Sequence, residues 1–302
     1  MFASFRSRLS ADRNTATSRQ ASPQAVGTLT IRHLIARHHG STVVLVRQGL
    51  TMIYHVRVDP HDSQAGTRLA AALQGVGLAT FEGVTDRASL LRLAGQVMHV
   101  WHHRDSEPDG VTAIGDRGEL ARRPGSAGFG RDELTVHTES SAEDQPPRLM
   151  LLFCARDAAA GGECRLVDGA RLHHELAVRD PELLAALRTP RSVLFGGAAG
   201  HLGAVFAEHE GTTVVRFRLD DLARFSPQVT RKLASLQAAL RDLETSVPLR
   251  PGHGYLLCNT RWLHGRAAFT GERLMYRLLG NPLSAVEIPA GFGTSLAEPA
   301  TV

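Results

Sequence analysis

Leu134-Thr135-Val136-His137-Thr138-Glu139 is the stretch of this 302-residue chain on which its fold turns. From Leu134 onward the chain becomes a series of short apolar and β-branched runs separated by turn-forming residues, at 134–138, 148–154, 192–195, 205–207, 213–217, 254–258 and 273–279. Short strands spaced in this way predict a mainly β protein with helical insertions and a sandwich or barrel core. Two insertions are expected. Asp168 can cap one; Ser226 followed by Pro227 can start the other, whose apolar positions Val229, Leu233, Leu236, Leu240 and Leu243 repeat every three or four residues.

Upstream of that stretch the pattern is helical. Residues 63–77 carry Leu69, Ala72 and Leu73 on one face, with Ser63 as a candidate cap and Gly75 or Gly77 as the stop. A strand at 78–81 should follow, and Asp86 can cap a second helix through Leu90, Leu91, Leu93 and Val97. Residues 105–130, dominated by Gly, Pro, Asp, Ser and Arg, read as a long loop. Loops of that length in a compact domain are commonly active-site lids.

The opening stretch also carries chemistry. On a strand, His137 and Glu139 stand two apart and face the same side, so one rigid element offers two metal ligands. A third is available in His264, within Asn259-Thr260-Arg261-Trp262-Leu263-His264-Gly265-Arg266. Two imidazoles and a carboxylate on one face of a metal leave three positions open, the arrangement of non-haem Fe(II) oxygenases. His-x-Glu alone recurs by chance and decides nothing. Arg273 and Arg277 strengthen it: four apart on an expected strand they share a face, and a guanidinium fork binds a carboxylate bidentately. Without the histidines, such a pair would read as a solvated face.

In these residues the chain resembles the taurine and 2,4-D dioxygenase family, in its clavaminate synthase-like branch with asparagine and arginine hydroxylases. The likeness is carried by Leu134-Thr-Val-His137-Thr-Glu139, Pro146-Pro147, Gly161-Gly162, and Asn259-Thr-Arg-Trp-Leu-His264-Gly-Arg266 leading into Arg273-x-x-x-Arg277, over roughly residues 70–280. The resemblance implies a double-stranded β-helix (jelly roll) core, Fe(II), 2-oxoglutarate as cosubstrate, and O2. Position by position it makes His137, Glu139 and His264 the iron ligands and Arg273 the grip on the distal carboxylate of 2-oxoglutarate. Arg277 matches a second arginine near the cosubstrate or a substrate carboxylate. The family's threonine after the Gly-Gly pair is Cys164 here, a weaker donor, which implies looser cosubstrate binding; its alternative role is a small buried hydrophobe. Because Glu139 is present, the halogenating relatives that lack this carboxylate are not matched. Hydroxylation of a small amino-acid-derived or peptide-like metabolite in natural-product biosynthesis is the expected activity; desaturation and oxidative cyclisation begin from the same hydrogen abstraction.

Composition narrows the remaining classes. Apolar residues at 43% and charged residues at 21% suit a globular core. The longest apolar run, 192–207, is broken by glycines and His201, short of the roughly 18 apolar residues a membrane-spanning helix needs. Residues 1–51 hold seven arginines and one acid, Asp12, whereas the rest hold 27 basic and 29 acidic residues. The basic balance belongs to the leader, so neither nucleic acid nor membrane is an expected partner. Residues 1–51 read as a disordered leader or a mis-assigned start, with residues 52–302 as one oxygenase domain, 105–130 its lid and Met52 the expected biological start. Intact mass of the native protein checks that. Three cysteines without CxxC spacing indicate neither a disulfide framework nor a zinc knuckle, and a reducing cytoplasm is expected.

Other candidates are weaker. His102-His103 and His173-His174 read as surface or packing pairs. Glu143 and Asp144 suit a cationic substrate group or a solvated loop. Residues 196–200 match a phosphate loop only in composition. A non-catalytic jelly-roll binding module is the rival of another class, and turnover of 2-oxoglutarate to succinate separates it from an enzyme. No sequence pattern fixes an oligomeric state.

Overall fold

The computed structural model of the protein describes residues 36–38, 41–45, 52–59, 61–197 and 199–294, and each of the seven strand-like runs contains a strand there. The architecture is mainly β with helical insertions. The larger sheet runs in the order Ala36–His38, Ser41–Leu45, Met52–Arg57, Leu78–Glu82, His253–Cys258, Leu149–Arg156, Leu274–Pro282, Met98–Trp101, with Thr112–Ile114 also paired to Leu274–Pro282. Its pairings are antiparallel except that of Met52–Arg57 with Leu78–Glu82, which helix Ala65–Val76 connects as a crossover. The smaller sheet runs Thr245–Val247, Cys164–Asp168, Trp262–Arg266, Leu134–His137.

Side-chain alternation sorts the core into three layers. In Leu149–Arg156, Leu149, Leu151 and Phe153 pack with Leu69, Leu73, Leu90 and Leu93 of the first two helices. Met150, Leu152 and Cys154 instead meet Cys164, Leu166 and Trp262 of the smaller sheet. Burial on both faces explains why this strand reads as a continuous apolar run instead of an alternating one. The outer face of the smaller sheet, through Val136, Val167 and Leu263, is covered by the helical insertions. Each fully buried Leu or Phe in these layers contributes about 1.5–3 kcal/mol.

Several local expectations are corrected. Ser63 does not cap the first helix; Gln64 occupies that position without a side-chain bond, and the Gly66 N–H donates to Gln96 Oε1 at 2.7 Å. A contact across the fold replaces the local cap, which sequence spacing cannot reveal. Gly77 ends the helix at φ 71°, a conformation glycine adopts without strain. Asp86 does cap the second helix, Arg87–Gly95, in a reciprocal box with Ser89.

Residues 105–130 are not a plain loop. They hold strand Thr112–Ile114 and two 3-10 turns, Gly118–Arg122 and Ala127–Phe129, and Arg117 lies 3.5 Å over the Phe129 ring. The helical insertion after Asp168 comprises two helices, Gly169–Arg179 and Pro181–Arg188, the second started by Asp180 and Pro181. The stripe after Ser226 is likewise split, into Pro227–Arg231 and Leu233–Leu243. Lys232 interrupts it, its ammonium drawn to Asp180 at 2.7 Å and Glu182 at 2.9 Å. Within residues 1–51, Ala36–His38 and Ser41–Leu45 are strands paired with each other, and Ser41–Leu45 also pairs antiparallel with Met52–Arg57; the rest of the leader lies outside the described residues.

Candidate functional site

His264 sits in the middle of the smaller sheet, directly opposite His137 on one neighbour and Leu166 on the other. Residues opposed across an antiparallel pair share a face. Leu166 belongs to the layer between the sheets, so both imidazoles point there, their ring centroids 4.4 Å apart. The close approach of these two strands depends on Gly265, where a Cβ would come within 2.4 Å of the Leu134 carbonyl oxygen. Gly265→Ala is therefore expected to cost about 1–3 kcal/mol and to weaken metal retention, read by thermal melting and metal titration. A native melting temperature would refute the packing account.

Glu139 reaches the same point by another route. The strand ends at His137, and the following backbone turns away: Thr138 N–H donates to the Phe217 carbonyl at 2.8 Å. The Glu139 N–H donates to Asn259 Oδ1 at 2.7 Å, and Asn259 Nδ2 donates to the Glu139 and Pro147 carbonyls at 3.1 and 2.8 Å. Ser140, at φ 52°, completes the turn in a conformation uncommon for a residue with a side chain. The sequence reading of two ligands on one strand is thus corrected. One candidate ligand is on the strand, and a buried asparagine aims the other.

The three groups converge. Glu139 Oε1 lies 3.2 Å from His264 Nε2 and 3.9 Å from His137 Nε2, and all three ligand atoms fall within 4.8 Å of one another. His137 Nδ1 must donate to the Thr135 carbonyl, 3.0 Å away, which leaves the Nε2 lone pair facing the cluster. Burial, reinforced by His264, pushes the His137 pKa down to about 4, so the ring is neutral at neutral pH. Burial alone would raise Glu139, but Arg277 and the two imidazoles hold it well below its ordinary value. Two imidazole nitrogens and a carboxylate, with no sulfur, suit Fe(II) among the first-row divalent metals.

The stretch 259–266 braces this geometry from end to end. Arg261 forks onto Asp168 at 2.9 and 2.8 Å, fixing the residue that caps Gly169–Arg179. Trp262 Nε1 donates to the Val76 carbonyl at 2.6 Å, closing the end of the first helix. Arg266, on the same face as His264, spends its guanidinium on backbone carbonyls of Gly130, Arg131 and Ala267.

Opposite the ligands stands the larger sheet. Arg277 is buried and donates through Nη1 to Glu139 Oε1 at 2.7 Å. Arg273, just before the strand, lines the same cavity of about 420 Å³ and makes no ion pair among the described residues. Cys164 also lines that cavity and is 2% exposed. Every sequence-derived site residue is thus gathered around one space. Asn259, Arg266, His103 and Tyr255 were not singled out as site residues by the sequence reading. Asn259 and Arg266 stood inside the quoted stretch, yet only the fold shows what they brace.

Of the weaker candidates, His103 lines the cavity while packing against Trp101 at 6.1 Å between ring centroids, whereas His173 packs edge-on against Phe206 and Phe292. Glu143 also lines the cavity, while Asp144 instead bonds His201 at 2.9 Å. Among the described residues, no helix is long and apolar enough to cross a membrane, and the three cysteines are free.

Comparison with known proteins gives a consistent result. The taurine catabolism dioxygenase TauD, TfdA family matches residues 54–279. A uridine-5'-phosphate dioxygenase from Streptomyces is 28% identical over 193 residues, 59% of this chain and 69% of that protein. A structure of asparagine oxygenase in complex with Fe(II), hydroxyasparagine and succinate superposes with a TM-score of 0.61 at 17% identity, over 75% of this chain and 93% of that one. PvcB from Pseudomonas aeruginosa gives a TM-score of 0.61 at 14% identity, over 82% and 94%.

Proposed function

The chain belongs to the taurine catabolism dioxygenase TauD, TfdA family and is an Fe(II)- and 2-oxoglutarate-dependent dioxygenase, and from that premise we propose that it hydroxylates an unactivated C–H bond of a small amino-acid-derived or peptide-like metabolite. The observation that carries this reading is the convergence of His137, Glu139 and His264 within 4.8 Å, facing Arg273, which has no carboxylate partner among the described residues. His137, Glu139 and His264 hold the iron, and the two facing sheets form the double-stranded β-helix around it. Iron, 2-oxoglutarate and O2 together supply the oxidising power for C–H cleavage. The chain's own residues do the positioning. Thr135 fixes the His137 tautomer, Asn259 aims Glu139, and Arg277 keeps that carboxylate ionised.

Arg273 receives the distal carboxylate of 2-oxoglutarate. Arg273→Lys keeps the charge but loses the fork, so the 2-oxoglutarate KM should rise roughly tenfold with kcat less affected; an unchanged KM removes Arg273 from the cosubstrate site. Arg277 lies within reach of both the cosubstrate and Glu139. Residues 52–302 form the oxygenase domain, in keeping with a family match that begins at residue 54. Residues 115–130 act as the lid over the substrate, because Gly125, Ala127, Gly128 and Phe129 line the cavity while Thr112–Ile114 is pinned to the sheet.

An amino-acid-like substrate is supported by the mixed charge of the cavity wall, which His103, Arg104, Asp105 and Glu143 all line. Glu143 makes no ion pair among the described residues and is placed to meet an ammonium group. The fold-level relatives also point this way, since the complexes of asparagine oxygenase and OrfP contain hydroxyasparagine and hydroxyarginine. The test is aerobic conversion of 2-oxoglutarate to succinate with Fe(II) over a panel of amino acids and their derivatives. Substrate-dependent succinate with a product 16 Da heavier is expected. A product 2 Da lighter marks desaturation or cyclisation, and no succinate under any condition overturns the enzymatic reading.

A further inference from the structure

The inner wall of the cavity around Arg273 is largely apolar, lined by Met150, Leu152, Cys164 and Met275, with Arg277 turned to Glu139 and Arg266 to backbone carbonyls. Tyr255 is a further exception. It lies in strand His253–Cys258 opposite Leu152 and is 0% exposed, with its side chain in the layer between the sheets. Among the described residues its hydroxyl makes no hydrogen bond of good geometry; its polar neighbour is the Cys164 thiol, a weak partner, and it lines the cavity within the field of Arg273. A phenol buried at such depth without a good partner is costly. Burial pushes its pKa well above the ordinary tyrosine value, and Cys164 adds to this, so the group is an O–H donor at every physiological pH.

Cys164 cannot serve in its stead. Burial also raises its pKa, which leaves a neutral thiol, and a thiol donates weakly. The wall therefore offers the Arg273 guanidinium, which makes no ion pair among the described residues, and the Tyr255 hydroxyl to whatever anion enters. A second positive charge stands behind them: Arg266, 3% exposed, has only carbonyl partners and lies 4.7 Å over Phe269, whose ring Arg273 also faces at 5.7 Å. An anion that reached Arg273 would satisfy that hydroxyl in the same step.

We propose that the Tyr255 hydroxyl donates a hydrogen bond to the distal carboxylate of 2-oxoglutarate beside Arg273, supplying the donor that Cys164 does not. This rests on the iron and cosubstrate reading above. Tyr255 is accordingly a residue of cosubstrate binding and discrimination, and not merely a core aromatic.

The experiment titrates anaerobic Fe(II)-loaded protein with 2-oxoglutarate and with 2-oxovalerate, which lacks the distal carboxylate, following the metal-to-ligand charge-transfer band. Tyr255→Phe should weaken 2-oxoglutarate roughly 10- to 100-fold, as loss of a hydrogen bond to a charged group does, and leave 2-oxovalerate unchanged. The metal-free variant should melt no lower than the native protein, because a poorly paired buried hydroxyl has been removed. Adding Cys164→Thr to Tyr255→Phe should recover part of the loss. An unchanged preference for 2-oxoglutarate over 2-oxovalerate in Tyr255→Phe, with a normal band in the native protein, overturns the Tyr255 assignment alone. No band in the native protein overturns the iron site, and this assignment with it.

Discussion

In the His264→Ala variant, the charge-transfer band that Fe(II) and 2-oxoglutarate produce anaerobically in the native protein is expected to be absent, and succinate formation with it. The imidazole lost is the one nearest Glu139, at 3.2 Å. Its removal leaves two candidate donors, one of which, Glu139 Oε1, is already held by Arg277 at 2.7 Å. Losing only a hydrogen-bond partner of a metal ligand typically costs 10- to 100-fold in affinity, roughly speaking; losing the ligand should cost more. His264 is 6% exposed and leaves a small cavity, so a near-isosteric His264→Gln variant and a melting curve of each metal-free protein separate loss of metal from loss of fold. A persistent band in a folded variant would remove His264 from the iron site.

The second large effect is expected at a residue that touches no cofactor. Asn259 is 2% exposed, and its amide serves the Glu139 N–H and the Glu139 and Pro147 carbonyls, while its own N–H donates to the Arg148 carbonyl at 2.9 Å. Asn259→Ala strands three buried polar groups. At about 1–3 kcal/mol for each group left unpaired, and with some relaxation, a loss of about 3–5 kcal/mol is expected. For a domain of this size the melting temperature should fall by roughly 10 °C. Iron affinity should fall as well, because the Glu139 turn is no longer held. Asn259→Asp should be worse than alanine, as it puts an acceptor where two carbonyls need a donor. Thermal melting with and without metal checks both points, and a shift below about 2 °C for Asn259→Ala would show that the turn holds itself.

How much of this was legible in the sequence depends on the range of the interaction. All seven strand-like runs from Leu134 onward became strands, because period and turn residues are local signals. Asp86 and Asp168 cap helices as expected for the same reason. Ser63 does not, since the first helix is capped from Gln96, thirty residues away. Residue type and spacing point to the three candidate metal ligands, but strand period does not explain Glu139: its aim comes from Asn259 across the fold. Strands Met98–Trp101, Cys164–Asp168 and Trp262–Arg266 escaped notice because their patterns are short or interrupted by polar residues. The polar residues in the last two, Arg165, Asp168, His264 and Arg266, have partners or roles that only folding supplies. Tyr255 was visible only as an apolar strand residue; the lack of a good partner for its hydroxyl is a property of three dimensions.

The proposed iron ligands belong to the smaller sheet and the turn that follows it, whereas Arg277 and Tyr255 belong to the larger one and Arg273 immediately precedes its strand Leu274–Pro282. Metal and cosubstrate together would therefore act as a rivet through the sandwich, joining two layers that otherwise meet through side-chain packing and the Arg277–Glu139 pair. Filling the site should slow amide hydrogen exchange in both sheets at once, the whole clamp stiffening as its jaws are pinned.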